Sequence, residues 1–160
     1  MEAEAISLQD KFAPNLTCFG CGPMNEKGLQ IKSFVQGDEV ICNFKPQPHH
    51  QAYEGMINGG IIGALFDCHM NWTACWHLMN RTQVPIPPCT VTAKFGVEFF
   101  APTPSETLLT LIAKVTEASD RQAVIEARMV FEKAGTETMT ATGTGTFVAV
   151  KEGHPAYHRW

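Results

Sequence analysis

Across residues 57–79 the chain carries no proline, no lysine or arginine, and a single carboxylate, Asp67. Few structures accommodate such a run. Without proline it can form one continuous helix, roughly 30 Å long and about as wide as a small domain. Ile61, Leu65, Trp72 and Trp76 fall on one face, with Ile62, Phe66 and Thr73 beside them. A helix apolar nearly all round is expected to be buried. A membrane span fits less well, because His69, Asn71 and His77 interrupt the run and an Asp at its middle is costly in lipid.

Two features of the run call for a chemical explanation. Asn58-Gly59-Gly60 stands where the helix should begin. Asn is a favoured N-cap, and the first N–H groups of a helix point outward without internal partners. A glycine there lets a carbonyl oxygen approach those N–H groups closely, as an oxyanion hole requires. The competing reading is a plain glycine turn. Asp67 follows about two turns later, on one stripe with Gly60, Gly63, Asn71 and Ala74. These small residues let a ligand or another backbone come near, and a buried carboxylate needs partners or a task. The competing reading is a core carboxylate bonded to an amide or a hydroxyl.

The flanking segments read as sheet. Residues 29–35 and 39–44 form two short strands around Gln36-Gly37-Asp38, and residues 45–54 form a loop containing His49 and His50. Beyond the helix, Pro85, Pro87 and Pro88 require a loop. Strands are then expected over residues 90–100, 107–117, 122–132 and 138–150, with Val124, Glu126, Arg128 and Val130 alternating against Ile125, Ala127, Met129 and Phe131. Short connections imply antiparallel pairing, so the layout is α+β, an antiparallel sheet around one helix. Residues 1–14 read as a lead-in with a short helix at 7–12, and residues 151–160 as a surface tail of a single domain spanning the chain.

A length of 160 residues suffices for a real core. A net charge of −4 argues against a nucleic-acid partner. The acidic start MEAEAISLQDKF lacks a basic-then-apolar leader, so a cytoplasmic location is expected. The six cysteines then need not form disulfides. Cys18 and Cys21 make one C-x-x-C, with no second pair at metal-site spacing. His69 and His77 would lie about 12 Å apart along the helix, too far for one metal. No metal and no redox cofactor is expected.

Three segments, in order, carry a family resemblance. Asn58-Gly59-Gly60 followed by Asp67 resembles the H-G-G-x6-D pattern of the hotdog-fold acyl-CoA thioesterases, the phenylacetate-pathway type in particular. Thr92-Ala93-Lys94-Phe95-Gly96-Val97-Glu98-Phe99-Phe100-Ala101-Pro102 is similar to that family's T-x-x-Φ-x-V-x-Φ-Φ-x-P strand. Cys18-Phe19-Gly20-Cys21-Gly22-Pro23-Met24-Asn25-Glu26-Lys27-Gly28-Leu29 resembles its C-F-x-C-G-P-x-N-P-x-G-L opening. Asn58 replaces the usual His, and Ala101 replaces a frequent Arg before Pro102.

The resemblance implies a hotdog fold, a homodimer or dimer of dimers, and hydrolysis of an acyl-CoA or similar thioester. It implies an active site across a subunit interface, with Gly59 as oxyanion donor, Asp67 of the other chain as base or nucleophile, and Thr92 holding the water or the carboxylate. Asn58 serves as cap and ligand, and Gly60, His50 and Asn71 are candidate substrate contacts. With Ala101 in place of that Arg, recognition of CoA would pass to Lys94, Arg81 or another base, or the substrate would be an unusual one. Two other readings stay open: an acyl-binding module that does not cleave its ligand, and an enoyl-thioester hydratase. The hydratase pattern wants a His five residues after Asp67, where this chain has Trp72.

Overall fold

The computed structural model describes residues 5–158. Its elements are α1 (Leu8–Phe12), β1 (Phe34–Gln36), β2 (Glu39–Phe44), β3 (Gln51–Tyr53), β4 (Met56–Ile57), α2 (Gly59–Thr82), β5 (Thr90–Phe99), β6 (Leu109–Ala118), β7 (Gln122–Lys133) and β8 (Thr136–Ala149). Six strands form one antiparallel sheet in the order β1-β2-β6-β7-β8-β5, while β3 and β4 pair separately. The sheet wraps around α2, which packs on β5, β6, β7 and β8.

The long helix starts and stops where its chemistry dictates. Asn58 is extended, and its Oδ1 accepts from the N–H groups of Gly60 at 2.8 Å and Ile61 at 3.2 Å. Gln83 ends the helix in the left-handed conformation, and its N–H returns to the Met79 carbonyl. Proline at residue 85 then prevents continuation.

Packing depth is set by glycines on β8. A Cβ at Gly143 would stand 2.5 Å from the Phe66 ring, and one at Gly145 would meet the Phe147 ring at 2.6 Å and Met70 at 3.3 Å. Phe66, Met70 and Phe147 are fully buried. The helix therefore lies against a floor that has no side chains at these two points.

Several expectations are corrected. The helix is buried all round only over its second half, where the glycine-rich loop covers the side away from the sheet and Trp72, Thr73, Ala74, Cys75 and Leu78 are all buried. Over the first half the buried stripe facing the sheet runs through Ile62, Leu65, Phe66, His69 and Met70, whereas Ile61, and later Trp76, are only half-buried. The first sheet strand is shorter than expected, because residues before it pair with the glycine-rich loop: Leu29 N–H bonds to the Phe19 carbonyl and Ile31 N–H to that of Gly20. The segment before α2 is not plain loop but a hairpin around Gly55, which has φ +81°. The expected alternation on β7 holds: Ile125, Ala127 and Met129 lie in the core and Phe131 packs against it, whereas Val130, although buried, stands outside that cluster, and the register shift opposite Met129 and Val130 places its extra residue, Thr140, on β8.

The tail folds back on the body, with the His158 N–H reaching Cys89 Sγ at 3.1 Å. No helix among the described residues is long and apolar enough to cross a membrane.

Candidate active site

Asp67 sits midway along α2, half-buried, on the side that the sheet leaves partly uncovered. Thr92 Oγ1 donates to Asp67 Oδ1 at 2.7 Å. Oδ2 has no protein partner among the described residues. Burial holds the carboxyl above its ordinary range; the Thr92 bond pulls it back, and negative charge at Cys18 pushes it up again. A carboxylate raised in this way is a stronger base once ionised.

One turn along, Asn71 Oδ1 accepts from Thr90 Oγ1, and Thr90 also contacts Cys75 Sγ at 2.8 Å. The pattern is a match of two periods. Residues four apart on the helix, Asp67 and Asn71, meet residues two apart on β5, Thr92 and Thr90. Sequence reasoning missed Thr90. Its spacing from Thr92 against that of Asn71 from Asp67 was the available signal.

The helix N-terminus supplies the second group. The Asn58 side chain takes the Gly60 and Ile61 N–H groups, so Gly59 retains an N–H without a partner among the described residues. Gly59 is exposed and borders a hollow of about 350 Å³ with Tyr53, Met56, Phe99, Phe100 and Pro102. Gly60 is committed to the cap.

Asn58 is itself held from behind, its N–H bonding to the His50 carbonyl at 2.8 Å. His50 is buried rather than solvated. Its Nδ1 accepts from the Gln47 N–H, and its ring stacks on Phe44. Arg81 is paired with Asp120 at 3.0 Å, whereas Lys94 stands exposed on β5.

A cavity of about 180 Å³ adjoins Asp67, lined by Asn71, Trp72, Cys18, Cys21, Cys68 and Thr90 among others. Hydrogen bonds from Cys21 and Cys68 hold the Cys18 thiol far below its ordinary value. The same contact with Cys18 pushes Cys21 up to about 12, and Cys68 is pushed up as well. A larger hollow of about 390 Å³ lies on the outer face of the sheet, between Lys114, Glu126, Arg128 and Thr144. It opens away from α2 and meets neither Gly59 nor Asp67.

The fold has counterparts. The family model of the thioesterase superfamily matches residues 54–138, from the turn before α2 into β8. A thioesterase superfamily protein from Shewanella loihica is 30% identical, with 76% of this chain and 91% of that one covered and a TM-score of 0.61. The PaaI protein of the Escherichia coli phenylacetic acid degradation operon is 14% identical, with 77% and 81% covered and a TM-score of 0.61. An acyl-CoA hydrolase from Staphylococcus aureus, solved with butyryl coenzyme A, coenzyme A and coenzyme A disulfide, is 20% identical, with 75% and 71% covered and a TM-score of 0.61. No curated protein matches the chain. The sheet wrapped around one capped helix is the hotdog fold, and the chain belongs to the thioesterase superfamily.

Proposed function

We propose that the protein hydrolyses acyl-CoA thioesters at a site built from two copies of the chain. The observation that carries this reading is the separation of Gly59 from Asp67. The unpartnered N–H and the carboxylate lie on one helix about 12 Å apart. One thioester carbonyl cannot meet both groups of a single chain. It can if the second group comes from a partner.

The open edge supports such pairing. β5 ends the sheet, and most of its residues are exposed, with Phe95 and Phe99 among them. An unpaired edge of this length is a template for another strand, and natural proteins cover such edges.

In the proposed reaction the thioester oxygen lies on the Gly59 N–H, whose dipole favours the charge that develops there. The partner copy's carboxylate, equivalent to Asp67, takes a proton from a water that attacks the carbonyl carbon, or attacks that carbon itself to give an anhydride that water then cleaves; on either route the C–S bond breaks and CoA leaves as its thiol with a proton that water supplied. Thr92 holds one carboxylate oxygen, which leaves the other for chemistry. Lys94 is the exposed cation on this strand that is available to a CoA phosphate.

Complementation tests the shared site. Gly59→Pro removes the N–H and adds a ring at an exposed residue, where a Cβ would meet Phe99 at an ordinary contact distance of 3.8 Å. Proline is accepted at the first helical position, and Asn58 already has the extended backbone (ψ 136°) that a following proline requires. Gly59→Pro and Asp67→Asn should each be inactive in thiol release from acyl-CoAs. Unfolded together and refolded as a mixture, they should recover about a quarter of wild-type turnover, because half the dimers are mixed and each of those has one intact site. No recovery from folded, mixed dimers would place both groups in one chain's site and overturn the reading.

A further inference from the structure

The pair Cys18 and Cys21 is assigned no step in the proposed hydrolysis, yet the fold completes it. Cys68 reaches it from α2, and the three Sγ atoms lie within 4.8 Å of one another. Cys18 Sγ and Cys68 Sγ are 3.9 Å apart. Three sulfurs bound to one zinc at about 2.3 Å, at tetrahedral angles, stand about 3.8 Å from each other. All six cysteines are free thiols.

The surroundings are built for this approach. A Cβ at Gly20 would lie 2.3 Å from Cys68 Sγ, so only glycine lets the loop come this near to the helix. Gly22 is fixed in the same way, since a Cβ there would lie 2.4 Å from the Cys18 backbone nitrogen. Trp72 Nε1–H donates to Cys21 Sγ at 3.3 Å, a bond that favours thiolate and orients the sulfur. The adjoining cavity of about 180 Å³ has room for a water as a further ligand.

We propose that Cys18, Cys21 and Cys68 form a three-thiolate site for one thiophilic d10 cation, Zn²⁺ or Cu⁺, which clamps the glycine-rich loop onto α2 beside Asp67. Thiolates select these ions over Mg²⁺ or Ca²⁺. Cu⁺ is satisfied by three sulfurs, whereas Zn²⁺ takes a water from the cavity as fourth ligand. Binding releases the remaining thiol protons to solvent and ties loop order to metal. The site differs from a zinc finger in drawing its third ligand from a helix some fifty residues away in sequence, which is why the sequence shows only the pair.

Metal stoichiometry tests this independently of hydrolysis. The full chain, purified under reducing conditions, is titrated with Zn²⁺ and, separately and anaerobically, with Cu⁺. Co²⁺ serves as the spectroscopic probe of thiolate ligation. One ion per chain is expected for at least one of the two, with sulfur-to-cobalt charge-transfer absorption. Cys18→Ser, Cys21→Ser and Cys68→Ser should each abolish stoichiometric binding, and Cys42→Ala should retain it. Trp72→Phe should weaken binding by about tenfold.

If the serine variants fail to fold, alkylation of the wild type decides the matter. Bound metal should protect Cys18, the most accessible of the three, from iodoacetamide. Substoichiometric binding of both ions overturns the site, as does binding that survives Cys68→Ser or unchanged alkylation of Cys18. Loss of hydrolysis with metal binding intact would count against the proposed function alone.

Discussion

Asp67 and His69 are two residues apart on the same helix, and their environments are opposite. His69 is fully buried, and every polar atom of its ring is used. Its Nε2–H donates to the Val40 carbonyl at 3.0 Å, which leaves Nδ1 to accept from Ser33 Oγ at 2.9 Å. Ser33 Oγ in turn accepts from Gln9 Nε2, and Gln9 Oε1 accepts from the Ser33 N–H. The network closes on itself and ties α1 and β2 to α2. Asp67 is half-buried and has one of its two oxygens occupied. A satisfied polar group specifies a fold, whereas a group with spare capacity at a cavity edge is available for chemistry.

That contrast can be tested in order of expected effect. Asp67→Asn should lower thiol release by about 10³-fold, a loss of about 4 kcal/mol in barrier terms, with the urea midpoint nearly unchanged. Asn still accepts from Thr92. A large stability loss here would make Asp67 structural, as His69 is. His69→Ala should do the reverse, costing about 3 kcal/mol in urea unfolding through a cavity and orphaned partners. Any variant molecules that fold should still turn over substrate.

Acid titration separates the two residues by sign. Burial depresses His69 to about 4 from an ordinary value of 6.5. Below pH 6.5 the unfolded chain takes up a proton that the folded one refuses. Stability should therefore fall between about pH 6.5 and 4, by about 3 kcal/mol at most, and this dependence should vanish in His69→Ala. Asp67 is shifted upward, so its contribution has the opposite slope: stability from this group declines as pH rises above the ordinary carboxylate range. Turnover needs it ionised, so the acid limb of the rate profile should lie above that range.

Thr92→Val should sharpen the point. Removing the one hydrogen bond that favours the charged form should move the acid limb to still higher pH and slow turnover by about tenfold. The smallest effect is expected at the helix start, where Asn58→Ala should cost about 1 kcal/mol of stability.

Much of this was legible in the residues. The proline-free run, the Asn58 cap and the Pro85 stop define α2, and short turns between apolar alternations define β6 to β8. Asp67 was visible as the one carboxylate in an apolar helix, and Thr92 through the family resemblance. What was not legible depends on three-dimensional placement. β3 and β4 are too short to show a period. Which turns of α2 stay partly open follows from where the sheet and the glycine-rich loop lie, because an apolar helix carries no mark of where it will be left uncovered. The neutral, closed state of His69 depends on Ser33 and Gln9, and the third thiol beside Cys18 and Cys21 depends on a loop folding over the helix.

The bare floor under α2 has a consequence for how such a protein can change. Phe66 rests where Gly143 has no side chain, and Asp67 is the next residue. A methyl group at residue 143 would act as a shim beneath the helix, lifting the carboxylate relative to Thr92 while leaving every residue that meets substrate intact. With Asp67 in the proposed role, reaction geometry can therefore be retuned from a strand outside the proposed site, and mutations that alter turnover need not map to the pocket.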